Sequence, residues 1–161
     1  MQKYCLVYLV EKLQEGDEFT AINYWPLHIT IASNFIVDWE ATNLFDNLTN
    51  ALSHTRPVTI TVGDDEYFGG ERKIQVSVME MTPELMSLHK TVINTLEQAG
   101  AIFDEPQYNN DGYRAHATVQ KAHRLHKGDK VTINQVTIVD MFPHQDITKR
   151  RILQTIRLSD R

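Results

Sequence analysis

The stretch Leu27-His28-Ile29-Thr30-Ile31-Ala32-Ser33 decides how this chain is read, because two kinds of residue alternate along it. Side chains of a β-strand point to opposite faces in turn, so Ile29 and Ile31 take one face and His28 and Thr30 the other. The apolar face asks for a core, while the other carries an imidazole beside a hydroxyl. Eighty-eight positions along, Arg114-Ala115-His116-Ala117-Thr118-Val119-Gln120 repeats the arrangement. There Ala117 and Val119 serve as the core side, and Arg114, His116 and Thr118 share the opposite one. One His-x-Thr-apolar match among seven histidines is unremarkable. Two, both on strands and each followed by a β-branched residue, make a pair that the fold must bring together.

A matched pair of this kind suits phosphodiester chemistry. Histidine is the side chain that titrates near neutrality, so one imidazole can accept a proton while the other donates one. Threonine hydroxyls can hydrogen-bond the non-bridging phosphate oxygens, where negative charge gathers in the transition state. Two imidazoles handle both protons, so no metal and no other cofactor is called for. Which histidine is acid and which base is not written in the residues.

Working outward, residues 3–10 read as a buried strand and residues 11–24 as a loop. Asp38 is placed to cap a helix over 39–53, where Leu44, Phe45, Leu48 and Leu52 recur at helical spacing. Strands follow at 57–62 and, after the Gly69-Gly70 turn, at 73–79. Thr82-Pro83-Glu84-Leu85 is a helix start, Leu85, Leu88, Val92, Ile93 and Leu96 form its apolar face, and Gly100 stops it. Residues 104–113 read as a loop, 131–141 as strand-rich, and 152–158 as a last strand. Each half thus holds a helix, several strands and one histidine strand. The strands are not regularly separated by helices, so antiparallel pairing is expected. The expected fold is α+β and two-lobed, a pseudo-symmetric duplication with mainly antiparallel sheets.

Residues 1–161 are the size of one domain, or of two interleaved lobes sharing a core. The single cysteine, Cys5, excludes a disulfide framework and a cysteine metal site. The N-terminus lacks a basic start, its apolar run ends at Glu11 and no small-residue cleavage site follows, so no signal peptide is expected. No run reaches the roughly 20 apolar residues of a membrane span. A cytoplasmic protein is the expectation, a monomer with no obligatory protein partner. A net charge of −5 argues against sequence-blind binding of long nucleic acid. Bases nevertheless cluster at Arg114, Lys121, Arg124, Lys127 and Lys130, around the second motif, and at Lys149, Arg150, Arg151, Arg157 and Arg161. They read either as solvated faces or as a basic strip beside the motif.

His28-Ile29-Thr30-Ile31 and His116-Ala117-Thr118-Val119 resemble the paired signatures of the 2H phosphoesterase superfamily, which includes bacterial 2′-5′ RNA ligase-like proteins. The likeness runs over nearly the whole chain, through the opening strand, the turn Tyr67-Phe68-Gly69-Gly70 and the helix holding Leu85 and Leu88-His89. It implies two lobes around an open, metal-independent cleft, with the sheets lining the cleft and the helices packed outside. It implies action on 2′,3′-cyclic phosphates or 2′-5′ phosphodiesters at RNA ends or in small nucleotides. By resemblance His28 and His116 are the catalytic pair and Thr30 and Thr118 hold the phosphate. Ala117 departs from the bulkier residue often found at that position.

Position alone suggests the rest. Arg114 shares the face of His116 and is a phosphate candidate, and Tyr24, Trp25 and Tyr113 stand just before the motifs, where an aromatic ring can stack on a base or pack at a strand end. His123 and His126 lack a third ligand and read as a surface loop; His89, beside an apolar stripe, reads as structural. Two other functions share the same cleft: a non-catalytic RNA- or nucleotide-binding module, and an RNA ligase running the reverse reaction.

Overall fold

The computed structural model describes residues 2–21, 25–120 and 123–159. Its elements are, in chain order, β1 Gln2–Leu9, β2 Glu18–Thr20, β3 His28–Val37, α1 Ala41–Ala51, β4 Val58–Phe68, β5 Ile74–Met79, α2 Pro83–Gln98, β6 Ile102–Phe103, β7 His116–Thr118, β8 Lys130–Ile133, β9 Gln135–Asp140 and β10 Lys149–Arg157. They form one sheet in the order β2-β10-β9-β1-β3-β6 and a second in the order β7-β5-β4-β8. Each sheet carries one histidine strand. All the pairings are antiparallel, as expected. The architecture is the two-lobed, duplicated α+β fold.

The lobes are not the two halves of the sequence. Strands β4, β5, β7 and β8 make one sheet, and the other takes the strands before and after them together with β6, which lies between β5 and β7 in the chain. Residues 131–141, one strand-rich run by sequence, contain β8 and β9, which belong to different sheets with only Asn134 between them.

β1 shows why the first sheet is stable. Its Tyr4, Leu6 and Tyr8 enter the main core, while Cys5, Val7 and Leu9 join a second cluster with Val139, Met141 and Ile152. Buried on both faces, the strand reads as a continuous apolar run instead of alternating. The main core lies under the helices, with α1 against α2 and β10, and α2 against β3 and β4.

α2 begins and ends as its sequence indicates: Thr82 accepts a hydrogen bond from the Leu85 amide at 3.2 Å, and Gly100 adopts φ +82° just past the end. α1 starts later than expected, with Glu40 and not Asp38 at its N-cap, and no side chain caps it. β4 runs six residues past the expected 62, through Asp64-Asp65-Glu66. A register shift between Val62 and Asp65 admits this, and Gly63 sits in it. A Cβ on Gly63 would lie 2.9 Å from the Val78 carbonyl oxygen, so the two strands approach closely there. β7 is only three residues long. No helix among the described residues is long and apolar enough to cross a membrane.

The loop leading into β7 turns tightly at Asn110 (φ 56°) and Gly112, where a Cβ would run into the Gln107 carbonyl. Gly112→Ala should therefore cost roughly 1–3 kcal/mol of stability, because the Gln107 carbonyl and the turn must shift to admit the methyl group. Urea unfolding of the variant measures it, and an unchanged midpoint would contradict the close approach.

Candidate active site

The cross-strand register settles which way each motif residue faces, since directly opposed residues share a face. His28 is opposite Leu9 and Thr30 opposite Val7, so both lie on the face of the second apolar cluster, away from the helices. Ile29 and Ile31 go into the main core. In the other sheet His116 is opposite Val78 and Thr118 opposite Val76, while Ala115 and Ala117 enter the main core. β3 and β7 pack against each other. The two His-x-Thr faces are thus brought to one region, close enough that charge on His116 bears on His28.

Each imidazole is held the same way. Nδ1 of His28 lies 2.8 Å from the Pro26 carbonyl oxygen, and Nδ1 of His116 lies 2.8 Å from that of Arg114. A carbonyl only accepts, so each Nδ1 carries the proton and donates it. In the neutral ring Nε2 is then the basic nitrogen, on the side turned away from the strand's own carbonyl. Each ring also has an aromatic neighbour at a centroid distance of 4.8 Å, Trp25 for His28 and Phe68 edge-on for His116. A guanidinium lies over each aromatic in turn, Arg150 at 5.9 Å from the Trp25 centroid and Arg114 at 5.4 Å from that of Phe68. The duplication therefore extends to a repeated series of arginine, aromatic ring and histidine.

Burial lowers the pKa of both histidines, against the raising effect of their carbonyl bonds. The charge on His116 lowers His28 further, and the Arg114 guanidinium does the same for His116. Among the described residues neither the Thr30 nor the Thr118 hydroxyl is taken by another side chain, and no three His, Cys, Asp or Glu side chains gather to hold a metal.

The remaining candidates divide. Trp25 packs against His28 and Phe19, and its carbonyl accepts from Gln120 Nε2 at 3.3 Å, which ties it to the segment after β7. Arg114 lies on the His116 side but is bound through both terminal nitrogens to Glu66, at 3.0 and 2.6 Å. Tyr113 is not at the rim: it is buried, and its hydroxyl donates to the Thr30 carbonyl at 2.7 Å. Tyr24, Lys121 and Arg161 lie outside the described residues.

The basic cluster around the second motif meets a run of acids. Lys127 pairs with Asp64 at 2.7 Å, Arg124 with Asp65 at 2.7 Å and Arg114 with Glu66, while Lys130 bonds the Thr61 hydroxyl at 2.6 Å. Hydrogen bonds from Arg124 and Arg114 hold Asp65 and Glu66 below the usual carboxylate range. These bases are engaged one by one rather than presented as a free strip. Sequence reasoning missed Phe68, Glu66 and Arg150. Extending β4's alternation would have put Glu66 and Phe68 on the core face of Val58, Ile60 and Val62; the register shift after Val62 turns them to the His116 side, and nothing local marks Arg150.

The 2′-5′ RNA ligase superfamily model matches residues 6–132. No curated protein matches the chain. Among solved structures it is similar to a protein described as a phosphoesterase (14% identity, 99% of each chain covered, TM-score 0.60). It is similar to LigT of E. coli complexed with 3′-AMP (13%, 99% of each chain, 0.60). Usb1 of Kluyveromyces marxianus is a further match (8%, 98% of each chain, 0.52). At these identities the structural likeness establishes the fold.

The lowered histidines have a consequence for stability. His28, His89 and His116 all titrate below their ordinary 6.5 when folded, with burial the leading cause in each. The unfolded chain binds more protons there, so their contribution is complete above that value and is lost as pH falls through the folded values. The urea midpoint should be lower at pH 5.5 than at pH 7.5, and a midpoint that rose on acidification would contradict the assignment.

Proposed function

We propose, from the premise that this chain belongs to the 2′-5′ RNA ligase superfamily, that it is a phosphodiesterase working by two-histidine acid–base catalysis. Its substrates in this reading are 2′,3′-cyclic phosphates or 2′-5′ phosphodiesters of RNA ends or small nucleotides. The observation that carries it is the matched arrangement of His28 and His116, each with Nδ1–H given to the carbonyl two residues before it and Nε2 left for chemistry.

In cyclic phosphate hydrolysis, Nε2 of one histidine takes a proton from water as the water oxygen bonds to phosphorus. Nε2–H of the other gives its proton to the ribose oxygen as that P–O bond breaks. The Thr30 and Thr118 hydroxyls donate to the non-bridging oxygens, where charge accumulates. Both proton transfers run through imidazoles, so the reaction is read as metal-independent. Trp25 offers a ring for base stacking beside His28. Arg114 exchanges bonds to Glu66 for a phosphate oxygen. Two observations support a small substrate: the paired bases beside β7, and the 3′-AMP carried by the structurally similar LigT. We place the activity in a single-domain cytoplasmic monomer, in keeping with the one free, buried thiol.

Replacing either His28 or His116 by alanine should lower turnover of 2′,3′-cyclic mononucleotides by roughly 10²–10⁴-fold with the fold intact. Undiminished hydrolysis by the double variant sinks the assignment, and loss of activity in EDTA would point to a metal enzyme. Arg114→Gln should raise KM several-fold and leave kcat nearly unchanged, the mark of a contact made equally in the ground and transition states.

The pH dependence has a definite sign. Catalysis needs one imidazole neutral and one protonated, and both titrate below 6.5 in the free protein. The singly protonated pair is then most populated on the acid side of that value, so kcat/KM should peak below pH 6.5 and fall at higher pH. A profile that keeps rising from pH 6.5 to 8.5 would contradict it.

A further inference from the structure

Two side chains stand behind the first motif instead of in the cleft. His89, buried in the middle of α2, has Nε2 accepting from the Asn110 amide at 2.9 Å. That places its proton on Nδ1, which donates to the Ile31 carbonyl at 2.7 Å. The Tyr113 ring lies flat on this imidazole, with centroids 3.8 Å apart and planes 3° from parallel. Its hydroxyl donates to the Thr30 carbonyl. Burial pushes the Tyr113 phenol well up, so it stays a donor.

These bonds fall where β3 lacks a neighbour. β6 pairs only with Phe35 and Ile36, so among the described residues no strand is hydrogen-bonded to the edge of β3 away from β1 at the motif. In the same place the pairing with β1 shifts register: Leu6 is opposite Ala32 and Val7 opposite Thr30, which leaves Ile31 as the extra residue. A bulge leaves its extra residue unpaired and disrupts the ladder beside it, so the carbonyls there take partners from outside the pair. The ties come from α2 and from the residue three positions before His116.

We propose that His89 and Tyr113 are positioning residues, which set the Thr30 hydroxyl and the His28 imidazole against His116 by holding the consecutive carbonyls of Thr30 and Ile31. The role rests on the function proposed above. Tyr113 enters β7 and at the same time grips β3, so the two motif strands share one reference point. Misplacement by about 1 Å can cost on the order of 10²-fold in rate without abolishing binding. Glutamine at position 89 carries both a donor and an acceptor and can make both histidine bonds; leucine can make neither.

The test compares Tyr113→Phe, His89→Leu and His89→Gln by kcat and KM on a 2′,3′-cyclic mononucleotide, with rates expressed per folded molecule. Tyr113→Phe and His89→Leu should lower kcat about tenfold or more while KM stays within about threefold, and His89→Gln should recover most of the loss. A kcat per folded molecule equal to that of the unsubstituted protein overturns the proposal, and so does glutamine performing no better than leucine. If the unsubstituted protein turned over neither a 2′,3′-cyclic phosphate nor a 2′-5′ phosphodiester, the functional reading would fail on its own. The positioning would then be read from the His28 ring resonances in ¹⁵N-histidine-labelled protein. Tyr113→Phe should move them while the exposed His54 stays in place, and unmoved His28 resonances overturn the inference.

Discussion

Two neighbouring carbonyls, those of Thr30 and Ile31, must be satisfied on a stretch of strand that has lost its neighbour, and much of the arrangement follows from how that is done. A buried acceptor left without a partner costs about 1–3 kcal/mol, comparable to a sizeable share of a domain's net stability. The Tyr113 hydroxyl and the His89 imidazole meet this demand at 2.7 Å each. Doing so draws α2 against β3, draws the tight turn at Asn110 onto α2, and brings the start of β7 beside the first motif. The two sheets meet around this clasp, and the His-x-Thr faces look out on the side away from it.

Much of this was legible in the chain, and the reasons for the rest are physical. Alternation around His28 and His116 identified the faces, because a half-buried strand shows its period directly. α2 could be bounded at both ends, since Thr82-Pro83 and Gly100 act through local backbone geometry. β4's second half could not: Asp64-Asp65-Glu66 has poor strand propensity, and it is strand because residues 65–68 pair with β5, while Lys127, Arg124 and Arg114 arrive from far along the chain to balance its charge. Tyr113, which position left open between base stacking and packing, is buried for a related reason. Adjacency to a motif says nothing about depth, and strand alternation places Tyr113 opposite Arg114, in the core. Arg150 came from the other end of the chain and had no local signature at all.

Charge tells a similar story at the scale of the whole molecule. By sequence, the bases near the second motif stood out as a possible anion-binding strip in an acidic protein. In the fold three of them meet three consecutive carboxylates, and such exposed pairs contribute little stability each. Their larger effect is on the field around the cleft, which they leave closer to neutral than a count of lysines and arginines suggests.

The equal tethering of the two histidine rings carries one more consequence. Each Nδ1–H is bound to a carbonyl only two residues back, in the segment that leads into its strand, so the ring's tautomer is set locally. The tautomer needs nothing from the opposite sheet. If the lobes breathe, the gap between the two Nε2 atoms changes, and with it the effect of the His116 charge on His28, while each ring keeps its tautomer. The pair behaves like a calliper whose tips are ground before the arms are set: the nitrogen each ring presents is fixed first, and the aperture comes afterwards.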